Sequence, residues 1–341
     1  MYGNINLPQN DYSWTLVMGA ILALVPLFFL EITTYLRLYN RFLIFAIIGI
    51  GLNIVFGHTD QLFLFMGALA ALAAYVMAIL AQDVFGVTAW LTLPIGVAVA
   101  GALGAAISWI SAKRKLGVIL ISILTLNLQL AFIETFVGLR TITGGSTGYD
   151  FAQRSILGLG DVGTALGLNR FAIQTYLLIG LTMLMLFVYI WMIQGKYGLA
   201  FEAIREDDLA ASSIGIDVVR YKTIAGFVGA AMIGVGGVMM AEFQGVVLPG
   251  DYQFLAIDVM ILIMLIIGGL RTTFGPVIGA ALIFILEELL HPIGQWETAV
   301  FGALLIVLFL YYREGVMPVV IDRVRELADR LQERREANSE S

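Results

Sequence analysis

Cysteine is absent from all 341 residues, histidine occurs twice, and charged residues make up only 13%. Without cysteine there can be no disulfide and no thiolate ligand or nucleophile, and nothing marks a redox compartment. His58 and His291 fall in separate inter-span positions with no thiol to join them, so no zinc or other metal site is expected. A phosphate loop is missing too. Gly195–Lys196 is followed by Tyr197 where Ser or Thr must hold magnesium, and no glycine precedes at the needed spacing. The chain is therefore expected to be no enzyme, with no catalytic residues and no ATP hydrolysis of its own. Met1–Asp11 carries no charge before Asp11, so no basic n-region and no cleavable signal are expected. The net charge of −6 excludes a broad basic surface for nucleic acid.

What is present is apolar: 60% of the chain is hydrophobic, which predicts an all-α polytopic membrane bundle with no soluble domain of useful size. Hydropathy predicts about ten spans, at 15–36, 42–57, 61–82, 88–110, 116–138, 171–193, 223–243, 254–270, 275–290 and 298–312. Several are short or interrupted by glycine, as buried broken helices are. Arg37, Arg41, Arg140, Arg154 and Arg170 fall on one side, and the other fourteen of the 19 Lys and Arg on the other. That bias puts the loop 194–222 and both termini in the cytoplasm, against the placement of Arg37 and Arg41. Spans two to five and seven to ten then form blocks of equal count and opposite direction, the pattern of inverted repeats. One permease domain is expected over 1–312, with an amphipathic cytoplasmic tail over 313–341.

The polar stretch Lys196–Lys222, between the long hydrophobic runs Phe171–Ile193 and Thr223–Phe243, carries its own punctuation. Asp207 or Asp208 can cap a short helix through Leu209–Ile214, and Gly215 follows where a left-handed residue ends one. Such a helix is too short to cross a bilayer, and it is expected either as a solvated loop or as a surface element where something docks.

Here the chain resembles the permeases of Liv-type ABC importers, which carry branched-chain amino acids, and most of all the larger M-type. The likeness rests on Ala203–Ile204–Arg205–Glu206, Leu209–Ala210–Ala211, Gly215–Ile216 and Arg220–Tyr221–Lys222. It continues through Gly268–Gly269–Leu270, Gly275–Pro276, Gly279–Ala280–Ala281 and Glu287–Glu288. Upstream it includes Gly51–Leu52–Asn53, Gly57, Gln61–Leu62, Tyr75, and Thr143–Gly144–Gly145–Ser146 with Gly148. The resemblance implies a type II importer-like fold with inverted repeats and alternating access. It also implies a second permease, two ATPase subunits that bind ATP and magnesium, and an extracytoplasmic solute-binding protein. Glu202, Arg205, Glu206, Asp207, Asp208, Leu209, Ala210, Ala211 and Gly215 would then form the coupling region that sits in the ATPase. No cofactor is expected on the chain itself.

Asn53, Gln61, Thr125, Asn127 and Gln129 are polar residues expected to face inward along a substrate path, or to bond between helices. Phe63 and Phe65 join them as a departure: the family has small residues around its Gln–Leu motif, where this chain also has Asp60, and Met66 replaces its usual His. The glycine-rich segment 139–170, with Thr143, Gly144, Gly145, Ser146 and Gly148, is expected either to cover the outer mouth or to be a mobile linker. Two alternatives remain open at this point. One is an importer of urea or short amides; the other is an ion-coupled secondary transporter or channel using Asp258 and Glu134.

Overall fold

The computed structural model describes residues 11–81, 89–151, 157–167 and 169–292, together with 300, 302 and 303. The architecture is helical. It opens with α1 (Asp11–Leu24), a 3-10 turn at Val25–Phe28 and α2 (Thr33–Leu52), which runs on through a π turn at Asn53–Gly57. Next come α3 (Met66–Ile79), α4 (Ala89–Lys113) and α5 (Val118–Gly138). The segment after α5 holds α6 (Arg140–Thr143), the strand β1 (Tyr149–Asp150) and α7 (Leu159–Leu166). Then follow α8 (Arg170–Gln194), α9 (Lys196–Glu206), α10 (Asp208–Ser213) and α11 (Val218–Gln244). The strand β2 (Val246–Val247), α12 (Asp258–Gly268) and α13 (Gly275–Leu290) complete the described order.

Among the described residues, five helices are long and apolar enough to cross a membrane: Thr33–Gly57, Ala89–Lys113, Val118–Gly138, Arg170–Gln194 and Val218–Gln244. Two expected boundaries are corrected. The break expected at 37–41 lies instead at 29–32, after the 3-10 turn, and one continuous helix carries both Arg37 and Arg41. Those arginines tolerate the position because each guanidinium has a partner: Arg37 lies over Phe171 at 5.0 Å, and Arg41 over Phe284 at 5.2 Å. The expected span 61–82 is only partly helical, since 61–65 are outside any helix and α3 starts at Met66. The expected span 298–312 and the tail 313–341 lie outside the described residues, apart from 300, 302 and 303.

The hub is α11, which packs against α4, α2 and α3. Glycines allow this. A Cβ on Gly51 would come within 2.6 Å of the Gly229 carbonyl, and one on Gly229 equally close to that of Gly51. Gly104 and Gly226 make the same kind of crossing between α4 and α11. Small residues at membrane-helix crossings bring backbones together, where dispersion takes the place of a hydrophobic drive.

The segment after α5 begins with a turn built on glycine. Gly144, Gly145 and Gly148 all have φ between 65° and 77°, a turn that only glycine adopts freely. Thr143 Oγ1 donates to the Phe136 carbonyl at 2.5 Å, and β1 pairs antiparallel with β2, Tyr149 opposite Val247. Ser146 and Thr147 stay exposed at the tip of this turn.

Candidate functional site

The loop 194–222 folds into α9 and α10. In α9, Gly198, Ala200, Phe201 and Ile204 recur at helical spacing and are buried against α8 and α11, while Glu202 and Glu206 face out. Asp207 is the residue that caps α10, its Oδ1 accepting from the N–H of Leu209 at 2.7 Å and of Ala210 at 3.1 Å. Asp208 takes a different role, in a 2.6 Å ion pair with Lys222 on α11. Lys222 is 8% exposed, so this pair is partly shielded from water.

At the far end Gly215 has φ +90°. The Ile216 N–H donates to the Ala211 carbonyl at 3.1 Å and the Gly215 N–H to that of Ser212 at 3.1 Å. This paired arrangement is the Schellman termination, which needs a left-handed residue where Gly215 stands. Of α10 only Ala211 is buried; Leu209 and Ile214 are 64% and 75% exposed. A second ion pair joins Arg205 to Asp60 at 3.1 Å, so α9 is tied to the stretch that leads from α2 into α3.

That stretch collects the remaining polar residues. Asn53 Nδ2 donates to Tyr189 Oη at 3.1 Å and to the Thr272 carbonyl at 3.0 Å, while its Oδ1 accepts from Arg271 N–H at 2.8 Å. His58 Nε2 lies 2.7 Å from the same Tyr189 hydroxyl. One amide thus joins α2, α8 and the α12–α13 elbow. Gln61 Nε2 donates to Thr59 Oγ1 at 2.8 Å and to the Lys222 carbonyl at 3.3 Å.

Further in, the start of α3 leaves backbone N–H groups without helical partners, and other elements satisfy them. Asp258 accepts from Met66 N–H at 2.6 Å and Gly67 N–H at 3.4 Å. Gln129 Oε1 accepts from Ala68 N–H at 2.6 Å, and its Nε2 donates to the Tyr252 carbonyl at 2.6 Å. Thr125 Oγ1 accepts from Leu64 N–H at 3.0 Å. At 1.5 Å per residue α3 and α12 are only about 21 and 16 Å long, and their N-termini meet at Asp258.

Every expected path residue except Asn127 is therefore fully buried and engaged within this chain. Asn53, Gln61, Thr125 and Gln129 are each 0% exposed. Asn127 cannot share their side, because one helix presents Thr125 and Gln129 together and turns Asn127 away. It is exposed, with Nδ2 donating to its own Ile123 carbonyl at 2.7 Å, and Glu134 is also exposed on α5. Tyr189 and Tyr252 were not singled out in the sequence. Their only signal was a hydroxyl near apolar runs, where a buried Tyr needs a partner. Among the described residues no cluster of three His, Cys, Asp or Glu could hold a metal.

The profile of the family described as "Branched-chain amino acid transport system / permease component" matches residues 34–311, which is most of the chain. This chain belongs to that permease family. Similar curated relatives include the high-affinity branched-chain amino acid transport system permease protein LivM of Escherichia coli K12. It is 29% identical over 294 residues, covering 81% of this chain and 68% of the relative. LivM of Salmonella typhimurium is 28% identical over the same shares. A probable LivH permease of Methanocaldococcus jannaschii is 27% identical, over 74% of this chain and 78% of its own. The M-type likeness of the sequence agrees with these relatives. No solved structure matches. The family match starts at the second residue of α2, so it takes in both the α9–α10 loop and the polar stretch behind it.

Within this permease, Phe63 and Phe65 are 0% exposed and stack edge to face, centroids 5.0 Å apart. Replacing them with Ser and Gly is expected to lower the amount of folded protein, at about 3–5 kcal/mol for each truncated ring. Competition uptake with a solute panel, read beside folded protein, checks this. A changed selectivity profile at normal protein level would assign the rings to the path instead.

Proposed function

We propose that this chain is the M-type permease subunit of an ABC importer for branched-chain or other hydrophobic amino acids. It lies in the cell membrane with both termini cytoplasmic. It pairs with a second permease, receives solute from an extracytoplasmic binding protein, and is driven by two ATPase subunits that bind ATP and magnesium. The observation that carries the reading is the α9–α10 surface. Leu209 and Ile214 are exposed on a helix stopped at both ends, with Glu202, Glu206 and Asp207 beside them. An apolar pair on a rigid acidic ledge favours a protein partner over a solvated loop.

The ledge has two attachments through which force can pass. Arg205 holds Asp60, and Asp208 holds Lys222, whose carbonyl holds Gln61. Motion of α9–α10 therefore reaches the π turn of α2 and the start of α11 together. In alternating access these two helices carry the change to the short helices α3 and α12. Asn53, Gln61, Thr125, Gln129, Phe63 and Phe65 act in this scheme by holding the moving parts in register. The turn Thr143–Gly148 serves the outer mouth, where the binding protein docks.

The reciprocal packing supports inverted repeats within a ten-helix plan. α11 packs on α4 as α2 packs on α13, α3 meets α4 as α12 meets α13, and α2 and α11 cross each other. Ion coupling through Asp258 is not favoured, because that carboxylate is engaged by the N–H groups of α3. Leucine uptake into proteoliposomes holding the assembled subunits tests the function. Uptake must require ATP and be competed by valine and isoleucine but not by urea. Uptake by the permeases alone on an ion gradient would overturn it.

Orientation has its own test. The chain has no native cysteine, and Thr147 and Ser212 are both exposed, at opposite ends of the bundle. A cysteine at Thr147 is expected to react with an impermeant maleimide in intact cells, and one at Ser212 only after permeabilisation. The reverse pattern would invert the topology.

A further inference from the structure

A cleft of about 260 Å³ opens at the end of the bundle that holds β1 and β2, between α2, α11, the turn Pro249–Tyr252 and α12. Ile44, Phe45, Met240 and Met260 supply apolar wall, while Arg41, Gln244 and Asp251 bring opposite charges and an amide to its rim. The volume is below the ~300–1,000 Å³ of pockets for drug-sized ligands, so it suits something smaller.

Three features show polar capacity left over for a ligand. Gln244 Oε1 is enclosed and has no hydrogen-bond partner among the described residues. An enclosed acceptor without a donor is costly, and a bound donor relieves that cost. Arg41 sits 3.5 Å from Glu287 yet stays 43% exposed, so part of its guanidinium remains open to a second anion. Burial pushes the Asp251 carboxyl above its ordinary range, against the hydrogen bond from Gln244 that pulls the other way. A cation beside it would restore the charged form. Arg41 is also one of the two arginines that break the charge bias of the loops, and this cleft gives it a use.

We propose that this cleft is a solute-binding site for a zwitterionic α-amino acid with a compact apolar side chain. The carboxylate meets Arg41, the ammonium meets Asp251 and Gln244 Oε1, and the side chain lies on the Ile44–Phe45–Met240 wall. The class of solute rests on the importer reading above; the site and its residues go beyond it.

The test uses the assembled permease complex in nanodiscs without binding protein, with tritiated L-leucine as probe in equilibrium dialysis. L-Leucinamide and 4-methylpentanoate keep the side chain and only one of the two charges. Each is expected to compete about tenfold or more worse than L-leucine, as loss of a charge-assisted hydrogen bond implies. Asp251→Asn, close in shape, is expected to weaken L-leucine binding by a similar factor, Asp251→Glu to retain it, and Met240→Trp to abolish it. Arg41→Gln also loses the Glu287 pair, so the Asp251 series decides if that variant misfolds. Equal binding by all Asp251 variants, or none by the unmodified complex, overturns the site. ATP-driven leucine uptake by the full importer is measured in parallel. Its presence without cleft binding removes the site alone; its absence removes the importer reading.

Discussion

Gly237→Leu is expected to leave almost no folded permease. A Cβ at this position would run into the carbonyl oxygen, the Cα and the carbonyl carbon of Ala70 on α3. Those are backbone atoms, which cannot rotate aside as the end of a side chain can. Overpacking costs about 1–3 kcal/mol where neighbours give way, and more where a backbone must shift. Here the shift would separate α11 from α3 in the middle of the hub. Gly180 on α8 is the control, since it is exposed and a Cβ there meets nothing within 4 Å. Gly180→Leu is expected to fold normally, and to gain up to about 1 kcal/mol of helix propensity. The monodisperse fraction of tagged protein after detergent extraction, by size-exclusion chromatography, checks both. A normal peak for Gly237→Leu would mean that α3 and α11 do not pack as described.

The contrast between these glycines shows what sequence can and cannot reveal. Both lie inside apolar helices, and only the neighbouring chain separates a contact from open space. Where structure is set locally, the residues are legible. The cap at Asp207 and the stop at Gly215 follow from side-chain chemistry within one turn, and the expected helix matches the observed α10 to within a residue at each end. The apolar spans 171–193, 223–243 and 275–290 also correspond to α8, α11 and α13.

All but one of the misses share one cause, which is a partner far along the chain. Residues 61–65 are apolar enough to read as helix, yet they are not helical, and Thr125 accepts from the Leu64 N–H there. The start of α3 at Met66 depends on Asp258, 192 residues away. Arg37 and Arg41 read as a loop because two cations seldom sit in a span, until the rings of Phe171 and Phe284 are placed beside them. Asn127 was grouped with Thr125 and Gln129 by residue type, although a helix separates them by face. At the candidate site, the surface loop was thus readable, while the hydrogen-bonded junction behind it needed the fold.

Glu206→Arg and Gly215→Val are each expected to abolish uptake while the protein still inserts at normal level. The two changes act through different physics, which makes the pair informative. Glu206 is the exposed last residue of α9, where a cation interacts favourably with the carbonyl end of the helix. The Arg variant should therefore fold at least as well as the parent, and any loss must come from reversed charge on the ledge. Gly215 has open space around it, so a larger side chain meets no clash there. Its φ of +90° is the obstacle. A β-branched residue held in a sparsely populated backbone region costs about 1–3 kcal/mol, and a six-residue helix has little to offset it. The last turn then unwinds, and Leu209 and Ile214 no longer hold their spacing. Uptake and basal ATP hydrolysis, measured on the same proteoliposomes, separate coupling from assembly. Hydrolysis that persists without transport is the expected signature. Normal uptake by both variants at normal expression would remove the coupling role from this surface.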